Sequence, residues 1–262
     1  MSEQTVSTYY FVGKLSPEEP CANFNPGEIH LRDGWVMDIF QSGIAMWNPT
    51  IREGTDSVRG LVDDAMDTIV STFNFITDRQ PGLKHSIHNC IEARGVSSKK
   101  NLIWWFVGSL PRRSPSRNNK DSRYWRKAGR FHSQISESKN FYYKLALRDY
   151  KACMQNLFTD DAFFYAFRIA EDIRQATTQR LEEGLPIKKY WEEMHKILGI
   201  TEKEIKPLTD VATKVRHGNV RDTIVLKARE KRGEIISIAI KVMRAGFSKA
   251  FKGLLKLHAS SI

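Results

Sequence analysis

The 262-residue chain predicts an α+β protein: an N-terminal mixed α/β domain with a short-stranded sheet, followed by an all-α helical bundle. Three observations carry this. The first hundred residues hold short β-rich runs split by Pro- and Gly-containing turns. A three- and four-residue apolar period interrupts them once, and beyond residue 132 only that helical period remains. The chain is 41% hydrophobic and 27% charged, enough apolar side chain for a core, which excludes wholesale disorder.

Taken in order, β-rich runs stand at Thr8–Val12, Glu28–Leu31 and Gly34–Ile39, separated by turns such as Asn25-Pro26-Gly27 and Arg32-Asp33-Gly34. Val58, Leu61, Val62, Ala65, Met66, Ile69, Val70, Phe73 and Ile76 then predict an amphipathic helix over 56–78, capped by Thr55 or Asp56 and closed by Pro81-Gly82. Two further strands are expected at Ser86–Ala93 and Leu102–Val107. The second is apolar on both faces (Trp104, Trp105, Phe106), which predicts a place inside the sheet rather than at its edge.

Residues 111–132, PRRSPSRNNKDSRYWRKAGRFH, read as a basic Arg-rich linker or loop between an α+β domain at 1–110 and a bundle at 133–262. Helices are expected near 134–156, 160–183, 187–198, 202–217 and 221–257, the last broken at Gly233 or Gly246.

The formal net charge is +11, and it is unevenly spread. Residues 1–99 carry −5, 100–132 carry +8, 133–220 carry +1 and 221–262 carry +7. Two local basic blocks point to a polyanionic partner more strongly than a uniform excess does. In the first block Arg112, Arg113, Arg117, Lys120, Arg123, Arg126, Lys127 and Arg130 are interleaved with Tyr124, Trp125 and Phe131. Cations for phosphates beside rings for base stacking is the chemistry of single-stranded nucleic-acid contact; a basic linker whose rings dock on a domain is the alternative. Arg221 opens the second block. Its apolar and cationic stretch Glu234–Leu257 reads as a packed last helix with a wet basic face, against the alternative of an anionic membrane surface.

Within the bundle, LTDVATKVRHGNVR (208–221) ends a helix at Arg216-His217-Gly218, with Gly218 suited to a left-handed cap. An arginine and a titratable histidine at a helix end suit phosphate contact, and plain capping is the alternative. Glu171 shares a helix face with Phe164, Phe167 and Arg174, a carboxylate on an apolar stripe that needs a cation. Arg216 or His217 across the bundle would supply it, or Arg168 on the same helix.

His85, His88, Cys90 and Glu92 lack a second cluster with zinc-like spacing, so no metal is expected. The three cysteines, Cys21, Cys90 and Cys153, make no disulfide framework. Phosphate-loop, dinucleotide, nucleophile-elbow and zincin motifs are missing, and no cofactor is expected. The longest apolar runs fall far below the ~20 residues of a membrane helix, and MSEQTVSTYYF lacks signal-peptide character. A cytoplasmic protein without integral membrane association is expected.

The segments LFTDDAFFYAFRIAEDI, KKYWEEMHKILGI and LTDVATKVRHGNV resemble the helical core of HEPN-like domains (the higher-eukaryote and prokaryote nucleotide-binding superfamily). More narrowly, they resemble bacterial and archaeal proteins that place such a bundle after an α+β region. The resemblance covers residues 134–257. It implies an antiparallel bundle, a homodimer, and RNA binding or metal-independent RNA cleavage in a defence or stress system. In a cleaving version His217 would act as general acid/base, Arg216 would hold the scissile phosphate and Glu171 would orient one of them. Active members separate Arg from the histidine by four to six intervening residues, whereas Ala212, Val211 and Asp210 occupy those positions here. Arg79 with His85 and Arg126 with His132 meet the spacing, at about the frequency that chance predicts. The rival expectation is a non-catalytic interaction module whose Arg-His pair is a polar packing network.

Overall fold

The computed structural model describes residues 4–16, 29–31, 34–39, 43–48, 56–77, 84–98, 101–106, 119–137 and 141–251. The chain forms two compact units, Met1–Ser133 and Gln134–Ile262.

In the first unit, β1 (Gln4–Ser16), β2 (Ile29–His30), β3 (Val36–Ile39), β4 (Gly43–Trp47), β5 (Lys84–Ser98) and β6 (Asn101–Phe106) form a six-stranded sheet in the order β2-β3-β4-β1-β5-β6. Every pairing is antiparallel. Gly34 turns the chain between β2 and β3 with φ +77, a left-handed conformation that a side chain would strain. The register aligns Met37 with Met46 and Met46 with Phe11, one row across three strands. All three side chains are buried. Against this row packs α1 (Asp56–Thr77) through Val62, Met66, Ile69, Val70 and Phe73. Beyond Asp67, α1 is buried on nearly all sides, and its threonines satisfy themselves locally: Thr72 Oγ1 donates to Thr68 O at 2.7 Å.

Two expectations are corrected here. The strand at 101–106 lies at the sheet edge, not within it. It is the second arm of a tight hairpin with β5, pairing Ser98 with Asn101 and Ala93 with Phe106, and β1 already occupies the other side of β5. The basic segment 111–132 is also not wholly a loop. From Asn119 it forms α2 (Asn119–Glu137), because Trp125, Ala128 and Phe131 recur at three-residue steps and are buried. β4 is an element that the sequence pattern did not announce.

The second unit consists of α3 (Tyr142–Gln155), α4 (Asp161–Thr178), α5 (Ile187–Leu198), α6 (Glu202–Arg216), α7 (Thr223–Glu230) and α8 (Arg232–Ala250). The stretch expected as one helix over 134–156 is divided between the end of α2 and α3. Helix α4 is central and packs on α3, α5, α6 and α8. Most of its inward positions are small or apolar: Ala162, Phe163, Ala166, Ile169, Ala170, Ile173 and Ala176 are buried, and Asp172, Arg174 and Thr178 are buried polar residues beside them. It ends at Thr178 rather than near 183. The stretch expected as one helix over 221–257 breaks at Lys231, the last cap of α7 and the first of α8, not at Gly233 or Gly246. Beside the break, the Arg232 guanidinium donates to Leu157 O and Thr159 O and reaches Asp160, while Arg229 also pairs with Asp160. These bonds tie the start of α8 to the turn between α3 and α4. Ile235, Ile236, Ala239, Val242, Met243 and Phe247 of α8 are buried, so the apolar face of this stretch is packed. No helix among the described residues is long and apolar enough to cross a membrane.

Candidate nucleic-acid interface

Helix α2 sorts its residues by face. Trp125, Ala128 and Phe131 have no exposed surface, and Trp125 stacks on Phe73 of α1 with centroids 4.0 Å apart. Trp125 and Phe131 are therefore core residues and not the base-stacking rings the sequence suggests. Arg126 and Arg130, one helical turn apart, are exposed and bonded to no described carboxylate. Lys127 is half-buried, its ammonium 5.9 Å from the Tyr124 ring centroid. Arg123 lies in α2 with its side chain outside the described set, and Arg112, Arg113 and Arg117 lie outside the described residues. The three-residue recurrence of Trp125, Ala128 and Phe131 is the signal that could have revealed this helix beneath its charge.

In the second unit, α6 begins at a capping box. Thr201 Oγ1 accepts from Glu204 N, and Glu204 accepts from Thr201 N at 2.7 Å. The Glu204 carboxyl is held at about 2, first by its hydrogen bond from Lys241 and then by those from Thr201. The helix ends as the sequence suggests: Gly218 has φ +72, Asn219 N donates to Lys214 O and Gly218 N to Val215 O. His217 is the cap through its backbone, while its side chain, Arg216 and Arg221 are exposed. Across the same turn Lys214 pairs with Asp222 at 2.9 Å.

Glu171 is half-buried on α4. The cation it acts on is Arg174, one turn along the same helix. Among the described residues no hydrogen bond or ion pair joins Glu171 to Arg216 or His217, so the three are not bonded into one constellation. Nor does Arg168 serve Glu171, because its Nε lies 2.8 Å from Asp149 Oδ2 on α3.

That pair belongs to a buried acid cluster that sequence reasoning missed. Asp149 is 2% exposed and Asp172, on α4, is 8% exposed. The two carboxyls lie within hydrogen-bond reach, and Asp172 is pushed up to about 7, first by burial and then by Asp149. Burial raises Asp149 as well, against the opposing pull of Arg168. Cys153, one turn after Asp149, is also buried; its thiol donates to Ala162 O and is pushed up to about 12 by desolvation. Such a cluster holds α3 to α4, and it lies away from the solvent that a substrate would cross.

The family model described as Domain of unknown function (DUF8168) C-terminal domain matches residues 128–247. A DUF8168 C-terminal domain is thus found over the second half of α2 and all of the helical unit to near the end of α8. No curated protein matches the chain, and no solved structure does.

Proposed function

We propose that the protein binds nucleic acid, RNA in particular, without needing to cleave it. The observation that carries this reading is the exposed pair Arg126 and Arg130, bonded to no described carboxylate, on a helix whose opposite face is locked by Trp125. Arginines one turn apart on a helix present two guanidinium groups on one face, where phosphate contacts can set the position of a nucleic-acid strand. Arg216, His217 and Arg221 around the turn after α6 offer a second exposed basic group, in keeping with the local charge of the chain. The preference for RNA, and the homodimer that goes with it, rests on the HEPN-like resemblance of the helical segments. Binding is favoured over cleavage because no hydrogen bond or ion pair among the described residues joins Glu171, Arg216 and His217, and Arg216 stands beside His217 rather than at the spacing of active members.

The test is a titration of single-stranded RNA with the full chain across a salt series. The logarithm of the affinity should fall linearly with log salt. The double change Arg126→Ala, Arg130→Ala should reduce the slope by roughly one for each phosphate that is no longer neutralised. Salt-insensitive binding, or none, refutes the proposal.

A further inference from the structure

The helical unit buries a cation that the basic surfaces above do not use. Arg174, in the last full turn of α4, is 4% exposed. Its guanidinium makes no hydrogen bond or ion pair with a described residue, and its Nε is enclosed without an acceptor. Two rings of α5 partly compensate: the guanidinium carbon lies 5.8 Å from the Tyr190 centroid and 5.3 Å from that of Trp191. Cation–π contact covers the faces of a guanidinium, whereas its N–H groups point outward in the plane and still require acceptors. The Tyr190 hydroxyl is already committed as donor to Glu182 O at 2.9 Å, and Thr178 Oγ1 to Arg174 O at 2.7 Å.

Beside Arg174 lies a cavity of about 400 Å³, between the end of α4, the connection to α5 and the start of α5. This is within the range of small-molecule sites, about 300–1,000 Å³. Leu181, Leu185, Ile187 and the rings of Tyr142 and Tyr190 form the apolar part of a lining that is more polar than apolar overall. Gln175 and Gln179 also line it and are exposed, as is Glu183, the one carboxylate of the lining.

We propose that this cavity binds a small organic monoanion, a carboxylate carried on a flat apolar body, with Arg174 as its counterion. A carboxylate presents two oxygens in one plane and matches the guanidinium fork in a bidentate pair. Glu171, one turn back on α4, already offsets part of the Arg174 charge, so the site suits no more than one further negative charge, and Glu183 disfavours a dianion such as a phosphate ester. The apolar part of the lining takes the body of the ligand. This site stands independently of RNA binding.

The experiment is calorimetric titration of the full chain with benzoate, 3-phenylpropionate and indole-3-carboxylate. The amide of each acid and inorganic phosphate serve as controls. At least one acid should bind with one-to-one stoichiometry, and its amide should bind at least about tenfold more weakly, the loss of a charge-assisted pair. Arg174→Gln should cost a similar factor. Since that change falls in a packed position, Gln175→Glu at the exposed rim provides a second variant, expected to keep the fold and weaken binding severalfold by repulsion. The proposal is overturned if no acid binds below about 10 mM. It is equally overturned if acid and amide bind alike, if phosphate binds as tightly as the acids, or if Gln175→Glu leaves acid binding unchanged.

Discussion

Trp125 stacks on Phe73 with ring centroids 4.0 Å apart and planes inclined by 14°. The contact joins α2 to α1 in the core of the first unit, and it separates the structural residues of α2 from the ones free to bind. Truncating Trp125 to alanine should cost about 3–5 kcal/mol, because a large buried side chain leaves a cavity its neighbours cannot fill. Arg126→Ala, on the exposed face, should stay within about 0.5 kcal/mol of the parent. Urea unfolding of the two variants checks this, and equal losses would show that Arg126 is not a free surface group.

The side chains of Arg216 and His217 are exposed at the end of α6 and bonded to no described residue. Arg216→Ala and His217→Ala should each leave the unfolding free energy within about 0.5 kcal/mol. Arg216→Ala should in addition lower RNA affinity at low salt. A loss of more than about 1 kcal/mol in either variant would favour the rival role, a polar packing network.

The buried acid pair makes a signed prediction in pH. Burial and the neighbouring Asp149 push Asp172 up to about 7 in the folded chain, above the ~3.9 of an unfolded aspartate. The folded state therefore holds a proton that the unfolded state releases, and this group's contribution is full below about 4 and is lost as pH rises through 7. Asp172→Asn keeps a donor toward Asp149 and cannot ionise. It should be more stable than the parent at pH 8, by roughly 1–3 kcal/mol, with the difference shrinking at pH 5. Denaturant melts at the two pH values measure it, and a variant less stable at pH 8 would contradict the assignment.

Two glycines of α8 should respond in opposite directions. A Cβ at Gly246 would stand 2.6 Å from Ile173 Cγ2 on α4, while one at Gly233 meets nothing within 4 Å. Gly246→Ala should destabilise by about 1–3 kcal/mol through overpacking. Gly233→Ala should stabilise by about 0.4–1 kcal/mol through the unfolded chain. Thermal unfolding of both variants reads the contrast directly.

The sequence by itself determined what a single segment can encode. The apolar period from Val58 to Ile76 marks α1 nearly to the residue, and Gly218 marks the end of α6, because both depend on side chains and dihedral angles within a few residues. The α+β character follows from the same local patterns. Tertiary structure decided the rest. The helical state of the basic segment depends on Trp125 and Ala128 finding a core partner in α1 and on the burial of Phe131, and their charged neighbours conceal that period in the composition. The edge position of β6 depends on β1 having taken the other side of β5. The site residues divide the same way: Glu171 is legible as a carboxylate on an apolar stripe, but Arg168 turns to Asp149 and Arg174 to the rings of Tyr190 and Trp191. A buried charge takes the partner that packing brings within a few ångströms, and distance along the chain does not encode that choice.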